Sequence, residues 1–218
     1  MRIEILTIFP EMVEPYLNGS ILGRAQKVGV KLSAVNLRDF ANNKHKQVDD
    51  KPYGGGAGMV MMVEPIERAL KKLKSIFRKN TTRVIMTSAA GKSFTQSDAR
   101  RLQKDYNHII FICGRYEGVD ERVEEHLADE SFSIGEYVLT GGELPAMVMT
   151  DAIVRNVPGV LGNDDTLKDE SHDKPGVLEY PQYTKPESYK GWEVPHVLVS
   201  GDHKKIDEWR EKNRKKKN

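Results

Sequence analysis

The chain of 218 residues sets 34 lysines and arginines against 32 aspartates and glutamates, and its 38% hydrophobic content suffices for one full core and a small second lobe. One cysteine, Cys113, excludes an intrachain disulfide framework and a cysteine-rich metal site, and no uninterrupted apolar run approaches the roughly 20 residues that cross a bilayer. The net charge of +2 names no partner class, but residues 203–218 hold eight basic side chains and three acids, so positive charge gathers at one end.

Residues 3–9 read as a strand, followed by helical patterns over 11–17 and 20–27. Strands are expected at 30–37 and 59–63, then a helix at 65–74 with proline in its first turn. The alternation continues with a strand at 84–87, a helix at 96–104, a strand at 109–113, a helix at 120–126 and a strand at 137–139. It predicts an α/β fold with a mainly parallel sheet. The next helical segment, 144–155 (LPAMVMTDAIVR), is apolar on nearly every face, which predicts burial in the core or in a subunit interface. Composition then shifts, because residues 162–173 carry five acids and one lysine around a single large apolar residue, Leu167. The expected organisation is a domain over 1–160, a flexible acidic linker over 161–175 and a small helical lobe over 176–218, whose last helix starts at Asp202 and puts Ile206 and Trp209 on one face. The opening Met1-Arg2-Ile3-Glu4 lacks the apolar region of a signal peptide, so a cytoplasmic location is expected.

Generic motifs fail one by one. Gly91-Lys92-Ser93 suggests a phosphate loop, but the glycine required five residues earlier is Met86. The cluster 54–58 (GGGAG) suggests a dinucleotide fingerprint, but its third glycine position is Met59 and a strand follows. The six histidines have no metal-ligand spacing, and Cys113, ending an apolar strand, reads as a core residue. Three glycine-rich turns are left: 52–58 (PYGGGAG), 114–118 (GRYEG) and 134–142 (IGEYVLTGG). Alone, each reads as a tight turn. Together, at the carboxyl ends of strands, they suggest a site lined by backbone, where glycine lets main chain approach a ligand and a side chain at Gly114 or Gly142 would fill its space.

Their order resembles the bacterial tRNA (guanine-N1)-methyltransferase family, TrmD, of the knotted SPOUT superfamily. The resemblance rests on LTIFPEM at 6–12, VDDKPYGGGAGMV at 48–60, ICGRYEGVDERV at 112–123, IGEYVLTGGELPAMVMTDAIVR at 134–155, PGVLGN at 158–163 and LEYPQYTKP at 178–186. It implies a sheet whose carboxyl-terminal part is tied in a deep trefoil knot, a homodimer with shared active sites, and S-adenosyl-L-methionine bent into the knot with its adenine held by loop backbone. The implied cofactor residues are Thr87, Ser88, Ala89, Gly114, Tyr116, Glu117, Ile134, Gly135, Glu136, Tyr137, Val138, Leu139, Gly141, Gly142 and Pro145. Family members run longer, so the C-terminal lobe reads as shortened. The family's linker carries an Asp-Ser-Phe motif, whereas this chain has Lys168-Asp169-Glu170-Ser171-His172, so the implied base is Asp169 or Glu170.

Methyl transfer to guanine N1 is an in-line displacement that must also remove the N1 proton, which a linker carboxylate would accept. Arg155 would stabilise charge developing on O6; its bland reading is a surface cation at a helix end. Asp169 and Glu170 otherwise read as a solvated acidic linker, and Glu117 as an ion-pair partner of Arg115 or Arg122. The implied substrate is guanosine 37, 3′ to the anticodon, in the tRNA anticodon stem-loop. Lys44, Lys46, Lys51 and the basic tail are the expected phosphate contacts. Magnesium is associated with the family, but no acidic cluster declares a metal site. A knotted RNA-binding protein with impaired catalysis, suggested by the altered linker motif, and a SPOUT enzyme acting on ribose or uridine are the rival readings.

Overall fold

The computed structural model describes residues 1–75, 81–162, 170–174 and 176–216, and the chain divides into two compact units, Met1–Gly162 and Asn163–Asn218. The first is built on five parallel strands. They are β1 (Arg2–Thr7), β2 (Lys31–Asn36), β5 (Thr82–Ser93), β6 (His108–Cys113) and β7 (Glu130–Ser133), in the order β2-β1-β6-β5-β7. A two-stranded antiparallel hairpin, β3 (Asp49–Asp50) with β4 (Val60–Met61), stands outside this sheet.

Side-chain alternation explains why both faces are covered. Along β6, Ile109, Phe111 and Cys113 enter one core cluster while Ile110 and Ile112 enter the other, and every residue of the strand is buried. Such a strand reads as a continuous apolar run, the mark of a parallel sheet between two helical layers. On the first face lie α1 (Pro10–Leu17), α2 (Ser20–Lys27), α4 (Gln96–Asp105) and α6 (Glu143–Val154), which contribute Val13, Leu22, Leu102 and Ile153. On the second lie α3 (Val63–Lys74) and α5 (Glu121–His126), through Ile66, Leu70, Leu73 and Val123. Each of these side chains contributes about 1.5–3 kcal/mol on leaving water.

Two expectations are corrected. Residues 137–139 form no strand but a bent, exposed loop. The strand at that point in the chain is β7, whose sequence ESFS holds one large apolar residue, Phe132, at 1% exposure. Its partners explain the polarity: Glu130 receives Arg83 Nε at 2.6 Å and Arg101 Nη2 at 2.6 Å, so the strand edge is fixed by an ion-pair cluster rather than by apolar contact. Residues 59–63, expected as one strand, yield only β4 before α3 begins at Val63.

The helix over 144–155 is α6, and it is two-faced: Ala146, Met149, Thr150, Ile153 and Val154 are fully buried while Leu144 and Val148 are about half exposed. In the second unit, β8 (Val177–Leu178) pairs with β11 (Lys215–Lys216), β9 (Ser188–Tyr189) with β10 (Trp192–Glu193), and α7 (His196–Val199) precedes α8 (His203–Asn213). The acidic linker expected at 161–175 lies for the most part outside the described residues. Among the described residues no helix is long and apolar enough to cross a membrane.

Candidate active site

The parallel strands β5, β6 and β7 end together, and a cleft of about 380 Å³ opens above their carboxyl ends. Local irregularities make it. In β5 the ladder to β7 breaks between Thr87 and Lys92, both of which face Phe132, so residues 88–91 leave the pairing and 88–90 form one wall. After β6, residues 114–118 turn sharply, with Tyr116 held at φ 60° and Gly118 at φ 130°. After β7, residues 134–142 arch over to α6, and Gly142 N donates to Gly114 O at 2.9 Å, closing the arch on the β6 turn.

Fourteen of the fifteen residues expected to hold a cofactor line this cleft, from Thr87, Ser88 and Ala89 through Gly114, Tyr116 and Glu117 to Ile134, Gly135, Tyr137, Val138, Leu139, Gly141, Gly142 and Pro145. Glu136 is exposed and is not among the lining residues. Arg115 and Thr140, within the turns 114–118 and 134–142, line it as well, and so do Val119, Glu121 and Phe132, which the sequence did not single out. The walls suit a ligand with an apolar ring: Tyr116, Tyr137, Val138 and Leu139 are exposed between 38% and 88%. Among the described residues, the amides of Val138 and Leu139 donate to no other group of the chain.

The ion pairs fall differently from the simplest sequence reading. Arg122 is taken by Asp120, at 2.7 Å, and Arg115 by Glu143, at 2.8 Å, so among the described residues Glu117 enters no ion pair. Its side chain instead packs over Gly58, where a Cβ would meet Glu117 Cγ and Oε1 at 2.5 Å, and its amide donates to Met59 O at 3.0 Å. The first glycine turn therefore borders the cleft through Glu117, with Tyr53 fully exposed at its tip. Cys113 lies under the cleft floor, fully buried. Burial, followed by the charge of Glu143, pushes its thiol well above the ordinary range, with Arg115 opposing.

The glycines of the arch answer to the protein more than expected. A Cβ at Gly142 would fall onto Thr87 Oγ1 and within 2.9 Å of Cys113 Cα and Gly114 N, and one at Gly141 would fall onto Arg115 Nε. A side chain at 142 thus collides with the fold before it fills ligand space, so the expected loss of cofactor space at that position comes with a packing defect.

Of the expected catalytic residues, Asp169 lies outside the described residues and Glu170 belongs to the second unit. Arg155 caps the carboxyl end of α6, half-buried, with its amide on Asp151 O at 3.1 Å. The amino end of the same helix frames the cleft at Gly142 and Pro145, and ten residues at 1.5 Å each separate Pro145 from Arg155 by about 15 Å. Among the described residues no group of three or more His, Cys, Asp or Glu side chains gathers as a metal site.

The family described as tRNA (Guanine-1)-methyltransferase TrmD matches the chain over residues 1–218. The chain belongs to this family. A Staphylococcus carnosus tRNA (guanine-N(1)-)-methyltransferase is 54% identical over 211 residues, covering 96% of this chain and 84% of the relative. Proteins of the same name from Carboxydothermus hydrogenoformans and Dictyoglomus turgidum are 53% and 54% identical, over 97% and 100% of this chain and 82% and 86% of theirs. TrmD proteins are SPOUT methyltransferases.

Proposed function

We infer that the protein is an S-adenosyl-L-methionine-dependent tRNA (guanine-N1)-methyltransferase acting on guanosine 37, 3′ to the anticodon. The observation that carries the reading is the cleft at the ends of β5, β6 and β7, walled by exposed apolar side chains and by a loop with unengaged backbone amides. Its size suits a cofactor of this class, since such sites run from about 300 to 1,000 Å³. The bound methyl donor supplies an electrophilic methyl on a sulfonium. Tyr116 and the 137–139 arch, through the amides of Val138 and Leu139, would hold the adenine, and the Glu117 carboxylate at the cleft border would favour a cationic end.

This chain's own residues then orient the acceptor and move one proton. A linker carboxylate, Asp169 or Glu170, takes the proton from guanine N1, a contribution of roughly 10²- to 10⁴-fold. Arg155 holds the negative charge that grows on O6. At about 15 Å along α6 from its own cleft, Arg155 acts on the cleft of a second copy. The homodimer reading is supported by an apolar stripe on α1 and α6, where Met12, Tyr16, Leu144 and Val148 are each 44–51% exposed. Tyr16 Oη donates to Asp151 Oδ2 at 2.9 Å and holds the two helices in register.

The tRNA would be held by Lys44, Lys46 and Lys51, which precede the first glycine turn in the chain, and by the second unit, where Tyr180, Tyr183, Trp209, Lys185 and Arg210 line a groove of about 770 Å³. The basic tail would add to these contacts, its main chain fixed where Lys215 and Lys216 pair with Leu178 and Val177. A trefoil knot and a cytoplasmic location belong to the same reading. The test is methyl transfer from labelled S-adenosyl-L-methionine to tRNA transcripts that differ at the base 3′ to the anticodon. Labelled 1-methylguanine only in the guanine transcript is the expected result. Binding of tRNA without transfer would favour the impaired RNA-binding protein, and label in ribose or uridine would refute the reading.

A further inference from the structure

The loops of the cleft are joined below its surface by a charged cluster that methyl transfer itself does not call on. Glu143, at 1% exposure, opens α6. Its Oε1 accepts from Thr7 Oγ1 at 2.6 Å and its Oε2 from Arg115 Nε at 2.8 Å. Arg115 engages its other nitrogens as well: Nη1 donates to Thr140 O at 3.2 Å and Nη2 to Met12 Sδ at 3.0 Å, while the guanidinium lies 4.8 Å over the Phe9 ring. Thr7 Oγ1 in turn accepts from the Phe9 amide at 2.9 Å. One arginine therefore ties together the exit of β1, the turn after β6 and the arch before α6.

The arrangement bears on the ligand because of where the arginine stem runs. It passes against Gly141, where a Cβ would fall onto Nε, so the closeness of the arch to the β6 turn is set by the Arg115 side chain. We propose that Arg115 and Glu143 are positioning residues that fix the spacing of the loops 114–118 and 134–142, and through it the affinity for the methyl donor, with the guanidinium nitrogens of Arg115 bonded to the protein rather than to the donor. A guanidinium with each nitrogen already engaged, stacked on a ring and paired with a buried carboxylate, is committed to the scaffold. Removing one half of a buried pair also leaves the other uncompensated, so the loops should respond to either partner.

The inference rests on the methyltransferase reading, and the wild-type protein separates the two: no binding of S-adenosylhomocysteine by wild type would sink the reading itself. Given binding, calorimetry with S-adenosylhomocysteine and with 5′-methylthioadenosine, which lacks the amino-acid end, tests the spacing. Arg115→Lys and Glu143→Gln should raise both dissociation constants by the same factor, about 10- to 100-fold. The KM for the methyl donor should rise likewise in both variants, and in Glu143→Gln, whose side chain is not part of the cleft lining, kcat and the KM for tRNA at saturating donor should stay within about twofold of wild type, because the site recovers its spacing once filled. Thr7→Val, a milder change, should weaken binding in the same direction, and Thr7→Ser, which keeps the hydroxyl, should restore it. Leu102→Ala, buried in α4, is the stability control and should lower Tm without moving donor affinity. The proposal is overturned by unchanged affinity in folded Arg115→Lys or Thr7→Val protein. It is also overturned by equal loss in Leu102→Ala, or by a loss confined to S-adenosylhomocysteine, which would make Arg115 a direct ligand of the amino-acid end.

Discussion

Gly142→Ala isolates the cleft floor with one methyl group. The backbone there has φ −83° and ψ −4°, open to any residue, so alanine introduces no dihedral strain and the whole effect is space. The new Cβ falls onto Thr87 Oγ1, a buried hydroxyl that donates to Ile112 O at 3.1 Å. Turning it away breaks that bond inside the protein, which costs about 1–3 kcal/mol. The remaining contacts, 2.9 Å to Cys113 Cα and to Gly114 N, are to backbone and yield only if the β6 turn shifts, a further 1–3 kcal/mol or so. Together these predict a loss of about 2–6 kcal/mol and a fall in Tm of about 5 to 15 °C. Donor affinity should fall as well, because the segment that must shift is a wall of the cleft. Scanning calorimetry and titration with S-adenosylhomocysteine measure the two effects. Gly142→Ala combined with Thr87→Ala should be more stable than the sum of the single changes allows, since the first collision is then gone. A Gly142→Ala protein with wild-type Tm would refute the packing argument, and if its donor affinity had nevertheless fallen, the floor of the cleft would belong to the ligand.

Val148→Glu puts a charge into the exposed apolar stripe of α6 and should give a monomer in sedimentation velocity, with methyl transfer lost in parallel; an active monomer would sink the shared-site reading. Arg155→Ala should lower kcat by about 10²- to 10³-fold with donor affinity intact, and mixing it with a linker-carboxylate variant should restore one working site per heterodimer. Asp98 receives Lys92 Nζ at 2.8 Å and closes a capping box with Thr95 at the start of α4. Burial acts to raise its pKa, but the hydrogen bonds from Lys92 and Thr95 outweigh it and hold the carboxyl below its usual value. The sign follows: with the folded pKa depressed, the stabilisation is full above the unfolded value and is lost as pH falls through the folded one. Asp98→Asn should therefore cost about 1 kcal/mol near neutral pH, and the two stability curves should converge in acid. Cys113, its thiol pushed well up by burial, should resist iodoacetamide at pH 8 in the folded protein and react on denaturation; rapid native labelling would contradict the buried cleft floor.

How much of this was legible in the sequence depended on whether apolar pattern or connectivity decided it. β1, β6 and α3 announce themselves, because isoleucine-rich runs and three-to-four spacing are imposed by burial on two faces or on one. β7 does not, since it is held by Glu130 between two arginines and contributes one buried ring. The cofactor residues were legible as a set of glycine turns and through the family, but the reason for two of the glycines was not. Nothing local to Gly141 and Gly142 says that Arg115 and Thr87, 26 and 55 positions away, occupy the space above them. Arg115 itself looked like a partner for Glu117; its true partner, Glu143, comes from the start of an apolar helix, where acid is favoured at the amino end.

The cleft follows from the path the chain must take. β7 is the edge strand beyond β5, whereas α6, which continues from it, packs against β1 and β6 on the face of Ile109 and Phe111. Residues 134–142 must therefore recross the carboxyl ends of β5 and β6, two strand spacings or about 10 Å. Nine residues can span about 30 Å when extended, so the segment has roughly 20 Å to spare and arches rather than lying flat. The space under that arch is what Tyr137, Val138 and Leu139 overhang and what Arg115 and Glu143 brace from below. A dinucleotide fold makes its nucleotide site from one tight turn between a strand and its own helix, which demands a fixed glycine spacing at that turn. Here the walls come from three separate crossings, and the glycine positions answer to neighbours distant in sequence. That is why GGGAG at 54–58 fails as a fingerprint and why no single local motif could carry the site.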